Sequence, residues 1–312
     1  MASEPMLAAA PVAIVPRVHV SRSTVLSEYV ALTKPDVNLL IAITTASAFG
    51  LGVAGEASHF PWMRLLHTLA GTVLVASGAA ALNQWIERLF DARMRRTARR
   101  PVAAGRIEPG RALAFGTVAS LSGIGYLLGT VGVLPSLLAA ATLLGYLLLY
   151  TPSKRRTPLC TLIGAVPGAI PPLIGWAAAR GRIDPEAWVL FAIVFLWQFP
   201  HFMSIAWMYR DDYDRARYLV LPRGEDRAPF VTLQTLLPLV ALVFVSLVPL
   251  VGQTGYTYGI AVLILGFAFV HCGVRFAHEK SGRTARQLLF ASIVYLPALL
   301  VLMMLATPFV GG

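Results

Sequence analysis

The sequence predicts an all-α, polytopic membrane bundle of about nine transmembrane helices around a central cavity. Three observations carry that expectation. Of 312 residues, 57% are hydrophobic and only 13% charged, with a mean hydropathy of +0.69; a soluble domain carries nearer ~25% charge. Apolar stretches of span length recur at about 37–54, 62–82, 112–130, 133–151, 159–178, 186–207, 230–250, 256–274 and 287–308, and each span needs ~20 apolar residues to cross the hydrocarbon layer. Placing the loops on alternate sides puts 23 of the 26 Lys and Arg on one side, leaving only Arg64, Arg180 and Arg182 on the other. By the positive-inside rule the N-terminus is then cytoplasmic and the C-terminus outside, in a cell inner (plasma) membrane.

Each segment follows from the same physics. Residues 1–26 are rich in Ala, Pro and Ser and read as a flexible tail, with an interfacial stretch over Ser23–Pro35. Met6–Val15 is short and broken by Pro11, a poor secretory h-region. Residues 27–312 form one membrane-embedded domain. Gly123, Gly125, Pro167, Pro171 and Pro172 fall within spans, where neighbouring helices can re-satisfy the backbone. The run Pro167–Trp176 should break its helix, either widening a cavity or merely kinking a span. The ten-residue alternation of a membrane barrel is absent. The two cysteines, Cys160 and Cys272, lie in or beside apolar segments and read as small buried hydrophobes. The net charge of +11 follows from topology, so no nucleic-acid partner is called for. The partner implied directly is the lipid bilayer.

Topology does not explain the carboxylates on the basic side. Asn83, Glu87 and Asp91 are spaced i, i+4, i+8, which lines their oxygens along one helix face at the membrane boundary. Such oxygens suit Mg²⁺, which keeps waters and shares its shell with phosphate. The plainer reading is a wet helix end with Glu87 paired to a neighbouring Arg. Arg96, Thr97, Arg99 and Arg100 follow, and guanidinium groups grip phosphate bidentately; a stop signal for membrane insertion explains them equally. Lys154, Arg155 and Arg156 on the next basic loop allow the same two readings. Lys34, at the entrance to the first span, could reach phosphate or lipid headgroups. Asp211, Asp212 and Asp214 crowd three charges into four residues, and such crowding favours a bound cation. His201 is isolated in the apolar run Trp197–Phe202, followed by Tyr209; it could meet haem iron or a substrate, or bond a backbone carbonyl. No nucleotide, zincin or serine-hydrolase motif is present.

These stretches resemble the intramembrane prenyltransferases, and within them the protohaem IX farnesyltransferases (haem O synthases). The matching residues are Leu32–Pro35, Asn83-x3-Glu87-x3-Asp91, Arg96-Thr97-x-x-Arg100-Pro101, Pro171–Ala178, Trp197–Phe202 and Tyr209–Tyr213. The resemblance runs from about 27 to 308. It implies farnesyl diphosphate and haem B as substrates, Mg²⁺ as cofactor, and a haem A synthase or terminal-oxidase assembly as downstream partner. Asn83, Glu87, Asp91 and Asp212 would be catalytic metal ligands; Lys34, Arg96, Arg100, Lys154, Arg155, His201, Tyr209 and Asp211 would bind substrate. Three departures stand out. Asp36 replaces a usual Arg, and Cys160 a common Asn. After Asp212-Tyr213, the usual Ala-Gly and Pro-Met-Leu-Pro become Ala216-Arg217 and Leu219-Val220-Leu221-Pro222. The superfamily's second Asp lies four residues from the first, where Met208 and Ala216 stand here, so the second half-site has fewer ligands or uses Asp211. A sister enzyme for quinone or chlorophyll precursors shares the acidic motifs. A non-enzymatic transporter shares only the hydropathy and basic loops.

Overall fold

The computed structural model describes residues 24–54, 59–251 and 256–306. Most of the tail, both termini and the outer loops near 57 and 254 lie outside the described residues. Among these residues nine helices are long and apolar enough to span a membrane, in the order the hydropathy predicts.

A short helix, α1 (Val25–Thr33), is capped by Thr24 and precedes α2 (Pro35–Val53). It begins two residues before the expected domain boundary. The turn between them is Lys34, in the left-handed region at φ 54°. α3 (Trp62–Asp91) is the longest helix, with 30 residues; its apolar part spans and its last turns carry the acidic motif clear of the hydrocarbon. α4 (Pro109–Thr130) returns. α5 (Val133–Leu144) runs into a π-helical turn, Gly145–Tyr150, and a single turn, α6 (Thr151–Ser153). The next span is broken at Ala169 into α7 (Cys160–Gly168) and α8 (Ile170–Arg180). Pro167, Pro171 and Pro172 account for that break, because proline lacks the N–H and crowds the preceding turn. α9 (Pro185–Met208) leads to the short α10 (Arg210–Arg215), and α11 (Arg227–Leu247), α12 (Tyr256–Glu279) and α13 (Gly282–Ala306) complete the bundle.

Two apolar clusters divide the interior. One gathers α9, α11, α12 and α13 around Trp197, Phe269 and Tyr295. The other gathers α2 to α5 and α8 around Phe49, Leu127 and Ile174. Lipid tails are as apolar as leucine, so association rests on close packing. Gly78 and Gly123 bring α3 and α4 together: a methyl group on Gly78 would sit 2.6 Å from the Gly116 carbonyl oxygen. Gly175 of α8 lies directly under the Thr45 carbonyl of α2. On the sparsely charged side, Arg64 donates to the Ala178 and Val131 carbonyls, at 2.5 and 2.9 Å. Both carbonyls belong to helix ends that lack internal partners.

Gly175→Ala therefore forces α2 and α8 apart and should cost about 1–3 kcal/mol. Gly125 faces open space, and Gly125→Ala should stay within about 0.5 kcal/mol. Thermal unfolding of the two variants in detergent checks this; equal melting temperatures would refute the close-contact account.

Candidate active site

The acidic end of α3 is buried. Asn83 is 1% exposed, Glu87 5% and Asp91 1%, so a solvated helix end is not what this segment forms. Each side chain meets a group from another segment. The Lys34 ammonium donates to Asn83 Oδ1 at 3.2 Å, and the Asn83 amide donates to Thr151 Oγ1 at 3.2 Å. Thr151 in turn donates to the Tyr146 carbonyl at 2.9 Å, inside the π-helical turn. Lys154 grips both Glu87 oxygens, at 2.9 and 3.1 Å, and lies 4.5 Å from the Tyr150 ring centroid. Arg100 grips both Asp91 oxygens, at 2.9 and 2.8 Å. The expected partner of Glu87 was a nearby Arg. The structure supplies Lys154 instead, because the π turn swings the end of the fourth span over α3.

The loop between α3 and α4 is a chain of tight turns with its own small core, Leu32, Ala81, Val102, Ile107 and Ala112. Thr97 donates to the Asp91 carbonyl at 3.0 Å, and Arg106 to Glu28 at 2.7 Å. That packing aims Arg100 inward. Arg96 stays exposed, 5.2 Å from the centroid of the Tyr209 ring and 3.3 Å from the Tyr213 hydroxyl.

Asp212 joins the second acidic motif to the first. It accepts from the Arg96 backbone N–H at 3.1 Å and pairs with Arg215. Its neighbours turn elsewhere: Asp214 pairs with Arg227, and Asp211, three-quarters exposed, lies 3.8 Å from Arg210. The crowding of three carboxylates is thus relieved by three arginines on different sides. Arg155 is exposed and rests over Phe90. Among the described residues no three His, Cys, Asp or Glu side chains stand together closely enough to hold a metal by themselves.

The charges bias one another. Burial works against a charge on Lys154, but Glu87 outweighs it and holds the ammonium protonated. Burial, with Arg100 and Lys154 nearby, pushes Lys34 well below the usual lysine range. Two polar groups at this end have no hydrogen-bond partner among the described residues, Gln84 Oε1 and the Tyr218 hydroxyl. The candidate ligands Asn83, Glu87, Asp91 and Asp212 offer only oxygens, each engaged by a basic side chain. Such a set fits a hard cation whose shell is completed by phosphate and water rather than by protein alone.

Trp197–Phe202 sits on α9. Trp197 Nε1 donates to the Ser292 carbonyl of α13 at 2.7 Å. Gln198 donates to the Ala165 carbonyl at 3.0 Å and fills the space beside Gly168 at the broken span. His201 Nδ1 is 2.9 Å from Ser292 Oγ, and its ring stacks on Trp197 at 4.7 Å. Ser292 Oγ already donates to the Leu289 carbonyl at 2.5 Å. With that proton spent on Leu289, His201 Nδ1 would be the donor and Nε2 would keep its lone pair. Trp176, in another matching stretch, lies at the opposite end of the bundle and donates to Asp184 at 3.1 Å.

Thr151, Arg215, Tyr218 and Ser292 were not recognisable beforehand, since none sits in a chemically suggestive spacing. Residues 41–308 match the UbiA prenyltransferase family. The chain belongs to that family. A protoheme IX farnesyltransferase of Solibacter usitatus is 47% identical over 288 residues, covering 90% of this chain and 99% of the relative. Digeranylgeranylglyceryl phosphate synthase superposes with a TM-score of 0.72 at 16% identity, covering 90% and 98% of the two chains. A UbiA homolog from Archaeoglobus fulgidus bound to GPP and Mg²⁺ superposes at 0.58 with 12% identity, covering 88% and 99%. The two solved structures share the fold. The protein is thus a multi-pass membrane prenyltransferase.

The Lys154–Glu87 pair is 13% and 6% exposed. Lys154→Met strands a buried carboxylate and should cost on the order of 3 kcal/mol. Arg111–Glu108 is 73% and 69% exposed, and Arg111→Met should be nearly neutral. Restoration of most of the Lys154→Met loss by adding Glu87→Gln, measured by detergent unfolding, checks the pairing. No restoration would refute it.

Proposed function

We propose that this protein transfers the farnesyl group of farnesyl diphosphate to a vinyl group of haem B, forming haem O. The observation that carries the reading is the meeting of both acidic motifs and three half-buried basic side chains at one end of the bundle. The name borne by the 47% identical relative supports the choice of substrates. A quinone or chlorophyll precursor would suit the acidic end equally but gives His201 no task. A transporter would place its charges along a path through the spans.

The allylic C1–O bond breaks and its electron pair leaves with the diphosphate. Negative charge therefore grows at the leaving oxygens, where Lys154, Arg100 and Lys34 already stand. Asn83, Glu87, Asp91 and Asp212 would hold Mg²⁺, which supplies further neutralisation of that charge when bound. Binding diphosphate gives Lys154 and Arg100 a new anion, releasing Glu87 and Asp91 from their ion pairs. Arg96, Arg155 and Tyr209 line the exposed approach, and Asp211 lies at its rim. Apolar helix walls keep the allylic cation from water until the vinyl π pair attacks C1. The porphyrin-side cation then takes up water and releases a proton. His201, through Nε2, would hold haem iron. Haem O would pass to a haem A synthase or terminal-oxidase assembly.

The acidic end lies on the side with most of the basic residues, and the positive-inside rule supports reading that side as the cytoplasmic face of an inner membrane with the C-terminus outside. A reporter fused at residue 182 should read outside and one at 154 cytoplasmic; a cytoplasmic signal at 182 would overturn this orientation.

Two substitutions separate the half-sites. Asp91→Asn should lower haem O formation by ~10²–10³ at low Mg²⁺ while haem B still binds. His201→Ala should weaken haem B binding or shift its Soret band while farnesyl diphosphate still binds. Near-normal turnover of Asp91→Asn would remove the metal–diphosphate assignment. An unchanged haem spectrum and affinity would return His201 to a packing role.

A further inference from the structure

The segment after α10 has no evident task in the scheme above, yet it enters the acidic end. Arg217 adopts the left-handed conformation at φ 57°, where the resembling sequences usually have glycine. A side-chain-bearing residue pays a steric penalty there, and such strain persists only where the surroundings enforce it. The enforcement is visible. Tyr218 N–H donates to the Tyr213 carbonyl at 2.9 Å, and Leu219 N–H donates to the Lys154 carbonyl at 2.7 Å. These bonds turn the Tyr218 ring inward. It packs with Met94 and Ala216, 5.6 Å from the Phe90 ring and 6.2 Å from the Tyr213 ring.

The ring is 3% exposed, and its hydroxyl faces the Glu87 carboxylate without a well-formed hydrogen bond to any described residue. A buried hydroxyl left unmatched is costly, and native proteins rarely keep one without a use. The charged groups acting on this phenol are Glu87, Lys154 and Asp91, the same groups that frame the proposed diphosphate site. Burial raises its ionisation above the usual tyrosine range, so it stays a neutral O–H donor. Glu87 is already held by Lys154, and Asp91 by Arg100.

We infer that Tyr218 is a substrate-binding residue whose hydroxyl, held only weakly toward Glu87 in the free protein, donates a well-formed hydrogen bond to a diphosphate oxygen. The inference rests on the prenyl-diphosphate reading and adds to it a donor from outside both acidic motifs. A neutral donor complements the cations: it recognises an anionic oxygen without adding charge to a cluster where Lys34 is already disfavoured by its neighbours.

Tyr218→Phe removes only the hydroxyl. The test is calorimetric titration of inorganic pyrophosphate into the purified full-length protein in detergent with Mg²⁺, beside thermal unfolding of the ligand-free protein. A hydrogen bond to a charged oxygen should make pyrophosphate binding at least about tenfold weaker in the variant. The ligand-free melting temperature should hold or rise, because no internal bond is lost. Pyrophosphate affinity within twofold of the parent overturns the inference. So does a clear drop in ligand-free stability, which would make the hydroxyl a structural group. Asp91→Asn separates the two levels of the reading. If the parent protein itself binds no pyrophosphate, the diphosphate reading fails. If the parent binds it, Asp91→Asn weakens it and Tyr218→Phe does not, only the role of Tyr218 fails.

Discussion

Burying carboxylates at the end of a membrane helix is the constraint on which the rest of the structure depends. Glu87 and Asp91 are nearly inaccessible, and an uncompensated charge there would be prohibitive. Each therefore requires a cation delivered from elsewhere in the chain. Lys154 comes from the end of the fourth span and Arg100 from a folded loop, while Lys34, from the turn between α1 and α2, meets Asn83 beside them. Much irregular geometry follows from that demand. The π turn sets Thr151 and Lys154 over α3, and the small core under the loop between α3 and α4 directs Arg100 inward.

Backbone strain concentrates at the same end. Among the described residues three non-glycine positions have positive φ, and two of them, Lys34 and Arg217, flank the acidic cluster. Both sit where a chain reverses to present a neighbouring group inward. The apolar body of the bundle is built differently, from glycine contacts between α3 and α4 and between α2 and α8. A close-packed frame of this kind moves little, so the strained turns at its end keep their conformations. Rigid walls joined to a charged, partly unsatisfied rim suit a reaction that needs an anion held tightly and a cation kept dry.

The α9–α13 face poses a separate problem, that of holding one imidazole in one tautomer. Ser292 Oγ stands between the Leu289 carbonyl and His201 Nδ1, and Trp197 fixes the ring plane from one side. Gln198, one residue further along, seals the break at Gly168. Trp197, Gln198 and His201 thus engage the Ser292 carbonyl, the Ala165 carbonyl and the Ser292 hydroxyl in turn.

Hydropathy alone determined the nine spans, because crossing hydrocarbon requires a contiguous apolar run whatever its neighbours are. The helical spacing of Asn83, Glu87 and Asp91 likewise determined that their oxygens share a face, and Pro167, Pro171 and Pro172 determined that the fifth span breaks. Tertiary structure decided the pairings. Whether Glu87 faced water, an arginine or Lys154 depended on how the fourth span ended, and no local pattern announces a π turn. The sequence cluster Asp211, Asp212 and Asp214 looked like one site, but only Asp212 turns inward, since Arg210 and Arg227 draw the other two away. Tyr218 and Ser292 carry no local signature at all. A tyrosine or serine acquires chemical meaning only from the groups brought within bonding distance, and those come from segments roughly 60 to 130 residues away in the chain.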